Sequence, residues 1–209
     1  MDPHPESGLG PVLTALARSA VATSFAPRPP GAAALISTLS ESTAPAAAAH
    51  AATLAKREAT FVTLQRDGRL RGCIGTLTAL RPLGVDVVRN ARLAARDPRL
   101  PPVEESETAE LQVTVTVLSP SEPLPVRAFT SLLDHLRPGQ DGLTLKDRGG
   151  RRATFLPSVW ASLPEPERFV AALLRKGRWP RRLWAAELRS AAWPEGLAAE
   201  RYGAREFSG

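Results

Sequence analysis

Residues 70–75 bring together the residue types with the most chemistry to offer in this chain. They read Leu-Arg-Gly-Cys-Ile-Gly, and they hold the only cysteine, Cys73, two positions after Arg71. A thiolate is a nucleophile and a metal ligand, and a guanidinium binds carboxylates and phosphates. The pair therefore predicts either a reactive thiol beside an anion-binding group or a surface that binds a small anionic ligand.

Cys73 has a simpler explanation as well, because free cysteine often packs as a small hydrophobic side chain. A nucleophilic thiol needs a histidine, a helix N-terminus or nearby cations to form the thiolate. Arg71 could favour the thiolate but cannot accept a proton, and His50 or His135 would have to be brought in by the fold. Cys73 is therefore a candidate catalytic residue with packing as the alternative.

Two glycines, Gly72 and Gly75, flank Cys73 in this segment. Since they carry no side chain, they let another backbone or a ligand come close to the strand, or they mark a β-bulge. Both are candidate ligand-binding positions.

Arg71 needs an acidic partner or an anionic ligand if its side of the strand is buried. Asp97 is the expected partner, with another carboxylate brought near by the fold as the alternative, and Arg99 could complete an anion clamp. The same region also fits a helix end, because Arg96 would complement the helix dipole and Pro98 would stop the helix. Asp97 and Arg99 therefore join the candidate ligand-binding residues, with a structural ion pair as the alternative.

A β-hairpin is expected to position this segment. Residues 61–64 read as a strand, Asp67-Gly68 is a favoured pair for a two-residue type I′ turn, and residues 70–77 read as the return strand. Counting back from the turn gives the expected partners, which are Arg66 with Arg69, Leu64 with Arg71, Thr63 with Gly72, Val62 with Cys73 and Phe61 with Ile74. Because side chains alternate along a strand, Arg71 and Cys73 are expected on one face, opposite Leu70 and Ile74.

Hydrophobic spacing predicts the remaining elements. Helices are expected over 9–25, 31–40, 82–95 and 129–136 and around 169–174, with helix-forming composition over 44–59 and one helical turn over 157–161. A half-buried strand is expected over 111–117, a loop over 118–126 and a second hairpin over 143–155. These elements predict an α+β fold with a mainly antiparallel sheet built from hairpins and flanked by helices, with room for a second, smaller lobe.

Four further motifs follow the hairpin in a fixed order. The five motifs read FVTL-x-x-x-G-x-LRGCIGTL from residue 61, RDPRLPP at 96–102, LQVTVTVLSP at 111–120, LRPG-x-DGL at 136–143 and TFLP-x-x-W at 154–160. Together they resemble the AMMECR-type domain family, known in bacteria and archaea as AmmeMemoRadiSam system protein A. The resemblance implies a single domain over 1–209, with its core at 61–184, a helical and Ala/Pro-rich lead-in at 1–60 and an unassigned segment at 185–209.

The resemblance also implies a role within a protein system. It implies association with a Memo-like, dioxygenase-related protein and a radical S-adenosylmethionine protein, so the chain is expected to be an accessory or substrate-binding subunit. The sequence has no Cys/His cluster with metal-ligand spacing and no CxxxCxxC loop. We therefore expect no metal and no cofactor on this chain itself.

Positive charge is concentrated toward the C-terminal end. Residues 1–145 hold 14 basic and 14 acidic residues, whereas residues 146–209 hold 13 basic and 7 acidic, which accounts for the net charge of +6. Five cations lie within 175–182, around Trp179. A solvated helix end is the usual explanation for such a run, and no nucleic-acid-reading module accompanies it. Only weak, non-specific nucleic-acid binding is therefore expected.

Other features of the sequence favour a cytoplasmic protein without membrane contact. No apolar run approaches the ~18 residues of a membrane span. Residues 1–6 lack the basic start and apolar core of a signal peptide, and a single cysteine fits a reducing compartment.

Three functions fit these observations: an accessory or substrate-binding subunit, a small enzyme that uses Cys73 with Arg71 orienting an anionic substrate, and a basic nucleic-acid-binding protein. A cleft lined by Arg71 and Cys73 would favour the first two. A flat basic face with Trp179 exposed would favour the third.

Overall fold

Two antiparallel sheets of four strands each, flanked by helices, form the protein, which confirms the predicted α+β class. The computed structural model describes residues 8–42, 48–185 and 187–209. The expectation for residues 1–6 and the first part of the helix expected over 44–59 lie outside the described residues.

The chain divides into two compact units. Unit 1 comprises the chain up to Leu118 together with Arg205–Gly209, and unit 2 comprises Ser119–Ala204. The strands are β1 Ala59–Arg66, β2 Arg69–Gly75, β3 Gln112–Leu118, β4 Glu122–Leu124, β5 Gly142–Lys146, β6 Arg152–Phe155, β7 Ala198–Tyr202 and β8 Ala204–Ser208. The helices are α1 Leu9–Ala22, α2 Ala32–Ser42, α3 Ala51–Ala55, α4 Leu83–Ala94, α5 Phe129–His135 and α6 Pro166–Lys176.

Unit 1 contains a sheet with the strand order β2-β1-β3-β8. Helices α1 and α4 pack against each other and against this sheet. The prediction that Val113, Val115 and Val117 of β3 face one core is confirmed, whereas the strand is more than half-buried because Thr116 on its other face is buried as well. The apolar stripe predicted for α4 is likewise buried, and it meets the inner face of α1 in the same core.

The predicted hairpin is present, but its register is not the predicted one. Asp67 and Gly68 both have positive φ, at 50° and 73°, as a type I′ turn requires. Arg66 pairs with Arg69 as expected, but the register then shifts by one residue, so that Thr63 faces Cys73 and Leu64 faces Gly72.

The residue left over on β2 by this shift is Arg71, which forms a β-bulge. Leu70 pairs with Gln65 and Cys73 pairs with Thr63, and because Gln65 and Thr63 are two residues apart on β1, Leu70 and Cys73 share one face of the sheet. Ile74 pairs with Val62 and packs on the core. The alternation that predicted one face for Arg71 and Cys73 is therefore broken between them.

Unit 2 is a sheet in the order β4-β7-β5-β6 over a core rich in aromatic side chains. Within that core, the rings of Trp160 and Phe169 stack with centroids 3.8 Å apart. The second hairpin and the turn at Pro157–Ala161 are as predicted.

Other differences lie in short or weakly patterned segments. The loop predicted over 118–126 contains β4, whose Pro123 is tolerated because β4 is an edge strand. Ala59 begins β1 rather than continuing a helix, and the unassigned C-terminal segment supplies β7 and β8. Among the described residues, no helix combines the length and apolar character needed to cross a bilayer.

Candidate functional site

Cys73 lies half-buried on β2, the edge strand of the unit 1 sheet. An edge strand leaves a row of backbone groups unpaired. At Cys73 two side chains fill that row: the Cys73 N–H donates to Asp97 Oδ2 at 3.0 Å, and its carbonyl accepts from Arg99 Nη2 at 2.8 Å. Asp97 and Arg99 thus take the place of a neighbouring strand.

Asp97 and Arg99 also bind each other through two parallel hydrogen bonds. Arg99 Nε lies 2.9 Å from Asp97 Oδ1 and Nη2 lies 2.6 Å from Oδ2, while the carboxylate is almost completely buried. These bonds hold the pKa of Asp97 well below its ordinary value, and the N–H groups of Cys73 and Arg99 act in the same direction. The buried carboxylate is therefore ionised and paired.

Arg71, the bulge residue, pairs with a different acid, Glu107. Its Nε donates to Glu107 Oε1 at 3.0 Å and its Nη2 donates to Oε2 at 2.7 Å, a bidentate pair. Its guanidinium also donates to the carbonyls of Pro101 and Pro102. The expectation that Asp97 is the partner of Arg71 is therefore wrong, and the alternative of another carboxylate brought near by the fold holds.

Glu107 is the site residue that sequence reasoning missed. It lies in the 3₁₀ segment Glu105–Glu110, where its side chain also accepts the Glu104 N–H at 2.7 Å and contacts Arg66 at 3.3 Å. Arg71 is the main cause that lowers the pKa of Glu107 to about 2, followed by the Glu104 N–H and, more weakly, by Arg66. The spacing of Glu104 and Glu107 is that of a capping box, but its first residue is Glu rather than Ser or Thr, so the signal is weak in the sequence.

Neighbouring groups already fill the space beside both glycines. A Cβ on Gly72 would lie 1.8 Å from the carbonyl oxygen of Ala94, because the end of α4 packs directly on β2. A Cβ on Gly75 would lie 2.2 Å from the ring of Phe61, its partner on β1. Helix packing and cross-strand ring packing thus account for the two small residues.

A second buried polar cluster, also missed from the sequence, fixes α4 on β1. Asp86 Oδ2 accepts hydrogen bonds from the Thr60 N–H and hydroxyl, from the Thr76 hydroxyl and from Asn90 Nδ2. Arg81 approaches the other carboxylate oxygen at 3.2 Å. Asp86 and Asn90 are four residues apart and so lie on one helix face, which is the signal that could have revealed them.

The thiol itself accepts a hydrogen bond from the Thr63 hydroxyl, with Oγ1 3.4 Å from Cys73 Sγ. No group of three His, Cys, Asp or Glu residues in the described parts of the chain is arranged to hold a metal ion. The structure therefore brings Cys73, Asp97 and Arg99 together and directs Arg71 to Glu107.

The fold and this geometry have counterparts in known proteins. The family model described as AMMECR1 matches residues 31–200. The chain belongs to the AMMECR1 family. A protein of Methanothermobacter thermautotrophicus is 42% identical over 106 residues, which cover 50% of this chain and 54% of that protein. A protein of Thermotoga maritima is 38% identical over 125 residues, which cover 58% of this chain and 68% of that protein. The aligned part thus spans about half to two-thirds of these relatives.

A solved structure of the same family extends the likeness. The crystal structure of an uncharacterized protein from Pyrococcus horikoshii has a TM-score of 0.76 at 26% identity, covering 95% of this chain and 90% of that one. This coverage reaches beyond the AMMECR1 match at 31–200, which omits α1 and β8. Both elements nonetheless belong to unit 1, where Arg18 of α1 donates to the carbonyls of Leu111 and Gly209.

The basic run at 175–182 of this AMMECR1-family chain does not surround an exposed aromatic side chain. Trp179 is only 4% exposed and belongs to the core of unit 2. Its carbonyl accepts a hydrogen bond from Trp184, whose ring lies 6.0 Å from the Arg175 guanidinium. The exposed Trp179 that would favour nucleic-acid binding is therefore not found.

Proposed function

We propose that this protein is an accessory subunit that acts by binding, and that it works with a Memo-like protein and a radical S-adenosylmethionine protein. The family resemblance suggests these partners. The observation that carries the binding role is that the charged side chains around Cys73 are engaged with one another.

Arg71 illustrates this engagement. Its Nε and Nη2 are committed to Glu107, and its remaining contacts are to backbone carbonyls. A guanidinium neutralised in this way offers little attraction to a substrate anion. This supports a structural role for Arg71.

The surroundings of Cys73 argue in the same direction. Its hydroxyl neighbour, Thr63, donates to the sulfur, and the nearby charge of Arg99 is offset by Asp97. Activation of a thiol requires a base or an uncompensated positive charge. The contacts therefore support a binding role rather than nucleophilic catalysis.

One observation favours a small anionic ligand as a second candidate. The Arg99 side chain is 66% exposed, and its Nη1 makes no hydrogen bond to a described residue. A carboxylate or phosphate bound there would lie beside the Cys73 peptide. In the enzyme alternative, Arg99 rather than Arg71 would orient the anionic substrate beside the thiol.

The same proposal treats residues 1–209 as one AMMECR-type domain that acts in the cytoplasm. The burial of Trp179 supports the expectation that nucleic acid is bound only weakly and without sequence preference.

The test is co-expression with the Memo-like and radical S-adenosylmethionine proteins of the same genome, followed by light-scattering measurement of mass. We expect a stoichiometric complex that survives physiological salt and is unchanged by Cys73→Ser. Separate elution of the three proteins at about 50 μM, well above a micromolar Kd, would contradict the proposal.

A further inference from the structure

The outward face of α4 combines apolar side chains with arginines. Leu83, Val87 and Ala91 face the core, whereas Val85 and Leu93 are each 39% exposed. These two residues are eight positions apart and so lie on one side of the helix. Exposed apolar side chains on this side are a feature that packing within unit 1 does not explain.

This side of α4 forms a groove with the start of α2. The groove has a volume of about 360 Å³. Its lining residues are Ala32, Val85, Val88, Arg89, Arg92 and Leu93. The volume lies in the lower part of the range typical of ligand-binding clefts, and the lining is apolar with a few polar groups.

Three arginines lie on this side of the helix or just after it. Arg89 and Arg92 are three residues apart on α4 and so are neighbours, and Arg96 lies two residues past the end of the helix, where its charge acts on Arg92. No carboxylate among the described residues forms an ion pair with any of them. The only acid of α4, Asp86, lies three residues before Arg89 but is buried in the cluster with Thr60, and Arg89 donates to Asn90 Oδ1 of that cluster at 3.3 Å.

Two of these arginines are held in place by backbone carbonyls. Arg92 donates to the carbonyls of Ala20 and Pro30, and Arg96 donates to that of Ser24. Burial lowers the pKa of Arg92, and the charge of Arg96 acts in the same direction. An acidic group bound here would meet preorganised cations and relieve their repulsion.

We propose that the α4 groove is a docking site for a partner protein's segment that carries apolar side chains flanked by acidic residues. Charge complementarity favours this occupant over a second copy of the chain bound through the same face, which would place the same arginines opposite one another. The small apolar area of this face, where Val85 and Leu93 are each only 39% exposed, favours a protein segment over a lipid surface. This inference deepens the proposed binding function by naming the surface and the chemistry of the partner.

The test uses the full chain and a synthetic acidic helical peptide of about 15 residues, with Leu at helical spacing and Glu beside each Leu. A matched peptide with Lys in place of Glu is the control. Binding is measured by fluorescence anisotropy, and the site is located by amide chemical shifts.

We expect the acidic peptide to bind and to shift amides of α4 and of Ala32. Leu93→Glu and Arg89→Glu should each weaken binding about tenfold. The milder variant Leu93→Gln should weaken it in the same direction if Leu93→Glu folds poorly. Leu70→Glu and Arg69→Glu change exposed residues of the same types on the hairpin, and they should alter the Kd by less than about twofold.

Several results would overturn the inference: no binding of the acidic peptide, equal binding of the Lys peptide, equal losses in the groove and hairpin variants, or groove-dependent binding to phosphatidylglycerol vesicles in place of the peptide.

The complex with the Memo-like and radical S-adenosylmethionine proteins separates the two proposals. If that complex forms and the groove variants leave it intact, the groove inference fails and the proposed function stands. If the peptide binds and the complex does not form, the reverse holds.

Discussion

The carboxylate of Asp97 accepts a hydrogen bond from the backbone N–H of Cys73 at 3.0 Å, so a side chain makes the hydrogen bond that a neighbouring strand would otherwise make. Arg99 completes the arrangement by donating to the carbonyl of the same residue. The peptide of Cys73 is thus paired on both sides even though β2 is an edge strand. The most prominent residue of the sequence is positioned by an ion pair, and that pair can be tested directly.

Replacing Asp97 with Asn should destabilise the protein. Asp97→Asn removes the charge that binds Arg99 and weakens the acceptor of the Cys73 N–H, so we expect the free energy of unfolding to fall by about 2 kcal/mol. Urea denaturation measures this change. The control is Asp67→Asn at the exposed hairpin turn, where Asn tolerates the positive φ and little change is expected. Equal effects of the two variants would contradict the role assigned to Asp97.

Stability should fall in acid because two paired carboxylates must take up protons. The pKa of Glu107 is lowered to about 2, and that of Asp97 is also lowered, whereas unfolded carboxyls titrate at about 4. A lowered pKa in the folded state stabilises the protein above the unfolded pKa, and this stabilisation is lost as the pH falls toward the folded value.

The measurement is the urea midpoint as a function of pH below about 4.5. Glu107→Gln should flatten the decrease because one of the carboxyls with a lowered pKa no longer titrates. Glu105→Gln, an exposed neighbour in the same 3₁₀ segment, serves as the control. An unchanged slope in Glu107→Gln would show that the pair with Arg71 does not stabilise the fold.

The hairpin shows how far local sequence determines this fold. Asp67-Gly68 specified the turn because both positions need positive φ, which is a local requirement. The local sequence does not signal the bulge at Arg71, and the next residue, Gly72, meets Ala94 on α4, a contact between segments far apart in the chain. Expecting regular alternation there placed Arg71 beside Cys73 when it in fact reaches Glu107.

The candidate site was predicted in part for the same reason. The sequence identifies Asp97 and Arg99 as candidates, but their contact with the backbone of Cys73 depends on how α4 packs on β2. Glu107 lies 36 residues after Arg71, in a short 3₁₀ segment that no hydrophobic periodicity in the sequence predicts. The strands β7 and β8 were missed because they are short and rich in charged residues.

Gly72→Ala should distinguish packing from ligand binding at this position. The added Cβ would lie 1.8 Å from the Ala94 carbonyl oxygen, so backbone must move and we expect a loss of about 3 kcal/mol or more. Gly31→Ala is the matched control, because a Cβ there has no neighbour within 4 Å. Thermal unfolding measures both variants. A stable Gly72→Ala protein would show that the approach of α4 does not require the glycine.

Arg178→Gly should stabilise unit 2. Arg178 has φ of 58° in the turn that ends α6, a left-handed conformation that costs a non-glycine residue about 1 kcal/mol. We expect the variant to raise the free energy of unfolding by a similar amount, whereas Arg178→Ala should not. Gly177→Ala should do the opposite, since its Cβ would lie 1.9 Å from the Trp179 ring. A destabilised Arg178→Gly protein would mean that the arginine side chain makes a larger contribution than the backbone strain.

The rate at which the Cys73 thiol reacts with iodoacetamide near neutral pH tests the central claim, that this protein acts by binding rather than by thiol chemistry. The folded chain is compared with the same chain in denaturant. Because Thr63 donates to the sulfur and Asp97 offsets the charge of Arg99, we predict that the folded chain reacts no faster than the denatured one. A folded-state rate at least about tenfold higher would contradict the account and would identify Cys73 as an activated nucleophile.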